Sequence, residues 1–167
     1  MGWRGGVVEV LAVALIAVSA AATAGAQTSP SASPTPPPEV AAIAKVVDGF
    51  IEALDAADIE RFAPLFAADA TVFFPLAPFA DRLENRDQIT KVFTVFFESV
   101  RRGKTGPQYM NLVPQDVRIQ LYGSTAVVTF HFKGPDLVSR RTLVLRKDGG
   151  AWSIVHLHAS NLAARSE

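Results

Sequence analysis

His156 and His158 stand two apart in the run I-V-H-L-H-A-S near the end of the chain. On a strand that spacing sends both imidazoles to one face, together with Ile154 and Ser160. A pair so placed can hold a metal, or act as acid and base near neutral pH. His158 and His156 are therefore the candidate catalytic residues. No carboxylate lies near them in sequence, and the remaining histidine, His131, falls on another strand, so neither a metal site nor a cofactor is expected. The plainer alternative makes both structural, one hydrogen-bonded inside the sheet or cavity and the other exposed or at an interface.

Arg140, Thr142 and Tyr109 are the candidate ligand-binding residues. Arg140 and Thr142 share one strand face, and a guanidinium aimed into an apolar cavity would grip a carboxylate or carbonyl oxygen bidentately. The competing reading is a surface arginine in a cross-strand pair, with Arg141 facing the other way. Tyr109 can line a pocket mouth, although an aromatic at a strand start is more often packing. Trp152 reads as core or sheet packing, and Asp148-Gly149-Gly150 as turn chemistry, since no helix follows to make it a phosphate loop.

Composition removes several kinds of chemistry. The chain has no cysteine, which excludes thiol catalysis, disulfides, thiolate metal sites and lipid attachment at an N-terminal cysteine. Sixteen basic residues balance sixteen acidic ones with no basic run, so nucleic acid is not an expected partner. Neither G-x-S-x-G, nor a glycine-rich dinucleotide loop, nor a readable pair of catalytic carboxylates is present. What remains is binding in an apolar pocket, or acid–base chemistry by one or two groups whose pKa values shift on burial.

The elements that position these groups follow a processed leader. Arg4, the apolar run over residues 10–22 and the small residues Ala24-Gly25-Ala26 read as a signal peptide over residues 1–26. That run is shorter than the ~20 apolar residues of a membrane span, so the expected location is secreted or periplasmic. Membrane contact is expected only through an uncleaved leader. Residues 27–39, rich in Ser, Thr, Ala and Pro, read as a semi-rigid spacer or a leader without a role. The folded domain is expected over residues 40–162.

Within it, Val40, Ile43, Val47, Phe50, Ile51 and Leu54 recur at helical spacing. Asp58 can cap a short second helix that Pro64 bends or ends, and residues 70–74 turn β-branched and aromatic. A third helix is expected over about 86–102, with Asn85 before it and Gly103 after it. Its apolar stripe is Ile89, Val92, Phe93, Phe96 and Val100. From Tyr109 onward only strand signal appears, with Gly123-Ser124, Gly134-Pro135 and Asp148-Gly149 as turns. The order is α+β: three N-terminal helices on a curved, mostly antiparallel sheet, leaving a cavity between the layers.

The pattern R-x-T-x-V-x-R…G-x-W-x-I-V-H-x-H-x-S over residues 140–160 resembles the last hairpin of the SnoaL-like and nuclear transport factor 2-like superfamily. Within it, the branch containing the association domain of calcium/calmodulin-dependent kinase II is the most similar. "ALDAADIERFAPLFAADATVFFP" resembles the superfamily's helix-helix-strand opening, and "LENRDQI" its turn into the third helix. The resemblance implies the cone-shaped nuclear transport factor 2-like fold, a pocket, and no particular reaction. It also implies two departures. The general-base aspartate of ketosteroid isomerases corresponds to Phe74, and the pocket arginines of the kinase association domain correspond to Thr142 and Ala159.

Three functions are compatible with this reading. The first is an exported homodimeric pocket protein for a small, largely apolar ligand. The second is a cyclase, dehydratase or isomerase using His156 or His158 with Arg140. The third is an oligomerisation or interaction module built on the open sheet face. A homodimer is expected because residues 125–133 alternate Ala126, Val128, Phe130 and Phe132 with Val127, Thr129 and His131, leaving neither face clearly polar.

Overall fold

The computed structural model describes residues 36–75 and 81–163. The expected signal segment, and most of the spacer after it, lie outside these residues. The first helix, α1, is Pro38–Asp55, two residues ahead of the sequence expectation. Pro38 opens it because a first-turn residue needs no amide hydrogen, and Glu39 follows in the turn where the helix dipole favours an acid. Ile43, Val47, Phe50, Ile51 and Leu54 form its buried stripe.

Asp58 accepts a hydrogen bond from the Arg61 amide at 3.1 Å and starts the short helix α2, Ile59–Phe62. Pro64 lies in the 3-10 turn that follows, Ala63–Leu65, which hands the chain to strand β1, Phe66–Phe73. Helix α3 is Arg86–Arg101, capped by Asn85, whose side chain accepts from the Gln88 amide at 2.9 Å. Its buried residues are Ile89, Phe93 and Phe97. Phe97, which the expected stripe omitted, is wholly buried. Gly103, at φ 72°, lies just beyond the helix in the left-handed conformation that glycine tolerates.

Strands β2 (Gln115–Tyr122), β3 (Thr125–Lys133), β4 (Leu137–Asp148) and β5 (Ala151–Ala163) then form a meander. The five strands lie in the order β1-β5-β4-β3-β2, with only β1 and β5 parallel. The hairpin between β4 and β5 turns on Gly149-Gly150, because Asp148 still pairs with Ala151. Both glycines have positive φ, 57° and 89°, as a two-residue hairpin turn of this hand requires. The architecture is α+β, three helices against a mostly antiparallel sheet.

One sheet face lies against the helices and the other does not. On β3, Ala126, Val128, Phe130 and Phe132 are buried, while the alternating Thr125, Val127, Thr129 and His131 are half-buried. The core between helices and sheet is built of phenylalanine. Phe62 packs on Phe93 (4.6 Å between ring centroids), Phe66 (5.1 Å) and Phe50 (5.3 Å), in tilted arrangements. Such ring pairs add about 0.5–1.5 kcal/mol each beyond area burial. Phe50 also reaches Phe130 on the sheet at 6.4 Å, joining α1 to the inner face.

Candidate functional site

The phenylalanine core stops short of one end of the sheet and leaves a cavity of about 360 Å³. Its apolar walls come from α1 (Phe50, Leu54), α3 (Phe93, Phe96) and the inner sheet face (Phe132, Leu157, Ala159). Phe74, just past β1, packs tilted against Phe93 at 4.8 Å and edge-on to Phe96 at 5.2 Å and completes the wall. The resemblance implied a phenyl ring where ketosteroid isomerases place a base, and Phe74 does line the cavity.

The polar groups of its lining are Asn111, Gln115, Lys133, Ser139 and Arg141. The segment from Met110 to Val113 is held over it by the end of α1. Asp55 accepts from the Tyr109 amide through its carbonyl at 2.9 Å, and from the Met110 amide through its carboxylate at 3.0 Å. Ser139 Oγ meets Asn161 Oδ1 at 2.6 Å across β4 and β5.

Arg141 is the charged group set inside. Its residue parity on β4 matches Leu143 and Leu145, both wholly buried, and its strand partners are Phe130 and Ala159. The guanidinium lies 5.7 Å from the Phe132 ring centroid and donates to the Arg140 carbonyl at 2.9 Å. Burial removes water from the cation and pulls its pKa down to about 10.

The residues singled out in the sequence lie elsewhere. Arg140 and Thr142 share a face, as expected, but it is the outer one, where they sit opposite Ser160 and His158 on β5. The inward guanidinium belongs to Arg141. The signal was available in β4: alternate residues Leu143 and Leu145 are apolar, so the face they share with Arg141 is the buried one. Tyr109 is half-buried and lines a separate shallow hollow with Pro107 and Ile59, while its neighbour Met110 lines the cavity.

His156 and His158 do project to one face, and it too is the outer face. Ile154 does not accompany them, because it is wholly buried. Ser160 shares their face as expected, and the expectation that Ile154 does so is corrected by a β-bulge: Ile154 pairs with Leu145 and His156 with Val144, leaving Val155 as an extra residue. An extra residue reverses the side-chain alternation beyond it. His156 Nδ1 lies 2.7 Å from Thr71 Oγ1, and Phe73 stands 5.9 Å from the His156 ring and 5.8 Å from the His158 ring. Desolvation, with smaller contributions from His158 and Arg82, lowers the pKa of His156. His131 is on the same outer face, beside Asp116 at 3.3 Å. Among the described residues no group of three or more histidines or carboxylates is placed to hold a metal.

Comparison with known proteins bears on the fold. The family described as SnoaL-like domain matches residues 43–164. No curated protein is significantly similar in sequence. A Streptomyces avermitilis protein of the NTF2-like family, provisionally named a dehydratase, superposes with TM-score 0.62 at 22% identity, over 75% of this chain and 97% of that one. A Shewanella frigidimarina protein, provisionally named a ketosteroid isomerase, gives TM-score 0.57 at 22% identity, over 71% and 94%. A Xanthomonas campestris protein, provisionally named a calcium/calmodulin-dependent kinase II association domain, gives 0.51 at 22%, over 74% and 86%. At such identities the likeness establishes a fold and leaves the chemistry to the site.

Proposed function

The chain belongs to the SnoaL-like family, and on that premise we propose that it is an exported homodimeric protein that binds a small, largely apolar molecule without transforming it. The observation that carries this reading is the lining of the cavity. Its walls are phenylalanine and leucine, and its described lining includes arginine and lysine but no imidazole and no carboxylate. An apolar cavity with few polar groups at one end is the usual form of a small-molecule site, and ~360 Å³ falls within the common range of about 300–1,000 Å³. Dehydration, cyclisation and isomerisation each need a group that takes up a proton and gives it back. Phe74 cannot do so, and the histidines lie across the sheet. Binding therefore accounts for the lining with fewer demands than catalysis does.

Export is supported by the basic, apolar and small-residue order of the leader, and dimerisation by the outer sheet face. One experiment tests binding and export together. Native mass spectrometry of the protein recovered from the exported fraction is expected to show a chain beginning at Gln27 that carries a retained small molecule. Ala159→Trp, which fills the cavity from β5, is expected to release that molecule while leaving the chain folded. Recovery of Met1 on a membrane-bound species counts against export. An unliganded protein that also takes up no neutral apolar dye, such as N-phenyl-1-naphthylamine, counts against the pocket.

A further inference from the structure

We infer that the cavity selects a monocarboxylic acid, with the Arg141 guanidinium as the anchor for its carboxylate and the phenylalanine wall as the seat of its apolar body. This rests on the pocket reading above and specifies the ligand for it.

Arg61, Arg82 and Arg146 each pair with a carboxylate, at 2.8, 3.0 and 3.1 Å, and all three sit at the surface. Arg141 is the arginine set into the apolar layer, yet among the described residues no carboxylate pairs with it. Its one described hydrogen bond is the 2.9 Å donation to the Arg140 carbonyl. A guanidinium carries five N–H donors in a planar fork, so most of its capacity faces the cavity unspent. A half-buried cation without a counter-charge is unfavourable, and the depressed pKa of about 10 records that desolvation. An incoming anion supplies the missing partner.

Position then selects the kind of anion. Leu137, Ser139 and Arg141 follow one another along the inner face of β4 and all line the cavity, with Ser139 opposite Phe132 and Arg141 between Phe130 and Ala159. A head group held by Arg141 therefore lies beside the Phe132 ring, whose centroid is 5.7 Å from the guanidinium. Two parallel N–H donors match a planar carboxylate bidentately, and the single charge of a monocarboxylate balances the single guanidinium. The apolar body then lies along Phe50, Phe93, Phe96 and Phe74.

The test compares 2-naphthoate with its neutral isostere 2-naphthamide by fluorescence titration of the intact folded protein. Wild type is expected to bind the acid at least about tenfold more tightly, the lower end of what a charge-assisted pair contributes. Arg141→Met keeps the bulk of the wall and is expected to bind acid and amide alike, while Arg141→Lys restores part of the preference. Equal affinity of wild type for acid and amide overturns the carboxylate assignment and leaves the pocket standing. Failure of wild type to bind either compound overturns both. Because the acid–amide comparison is made on wild type, it decides the matter even if Arg141→Met does not fold.

Discussion

Thr71 and His156 meet at 2.7 Å on the outer face, and the surroundings of that contact determine how it responds to pH. Partial burial, then His158 on the same strand and Arg82 beyond β1, disfavour the imidazolium, so the folded pKa of His156 lies below its ordinary value of 6.5. In the window between the folded pKa and 6.5, the unfolded chain binds more protons than the folded one. Stability is therefore full above 6.5 and declines as pH falls through that window. His156→Gln is expected to flatten this decline, with melting temperatures from pH 8 down to pH 5 as the measurement. A wild-type curve that is level over that range would show that the imidazole is not held neutral. His158, exposed and opposite Thr142, belongs to the same outer surface and not to the cavity wall.

At the scale of elements, the start of α1 is fastened to the β4–β5 hairpin by one carboxylate. Glu39 accepts from Lys147 Nζ at 2.6 Å and from Trp152 Nε1 at 2.9 Å, and these contacts hold its pKa below the ordinary carboxylate value of 4.5. Trp152 is buried beneath this bridge, so Trp152→Ala is expected to cost about 3–5 kcal/mol in urea unfolding, as large-aromatic truncations do. Glu39→Gln is expected to lower the melting temperature near neutrality and to remove part of the loss below pH 4.5. The sign follows from the depressed folded pKa, since the contribution is present above 4.5 and disappears as pH falls through the folded value. An acid limb identical to wild type would mean the bridge contributes nothing. These elements were legible in the sequence because their signals are local: Asp58 and Asn85 as caps, Pro64 at a bend, and the alternation of Ala126 to Phe132 on β3. The site was less legible. Period two carries from Trp152 to Ile154 and fails at Val155, because a bulge is set by pairing with β4 and leaves no mark in β5 alone. Arg141 is hard to tell from Arg140 for a different reason: two adjacent arginines face opposite ways and charge alone does not say which is inward, whereas Leu143 and Leu145 at the parity of Arg141 do.

For the whole molecule, the two sheet faces differ: the inner one closes on helices around the cavity, and the outer one is where the proposed homodimer would form. The centre of the outer face is Val127 beside Val144, with Thr129 and Thr142 on the next rung. Phe73 and Leu162 are exposed toward its margins. Its mix of valine and threonine leaves it neither clearly polar nor core-like, and the proposed homodimer would cover it. Two-fold pairing would bring the same patch of each subunit together. Val144→Glu would then bury a carboxylate without a partner in each subunit, a cost of about 3 kcal/mol or more, equivalent to ~100-fold in the dissociation constant. Sedimentation equilibrium at micromolar concentration is expected to give a wild-type dimer and a Val144→Glu monomer. Because the cavity opens on the other side of the sheet, the monomeric variant is expected to retain its ligand. A wild-type monomer would refute the interface, whereas a Val144→Glu dimer would move it to another surface. Loss of ligand on dissociation would mean that the second copy helps to close the cavity.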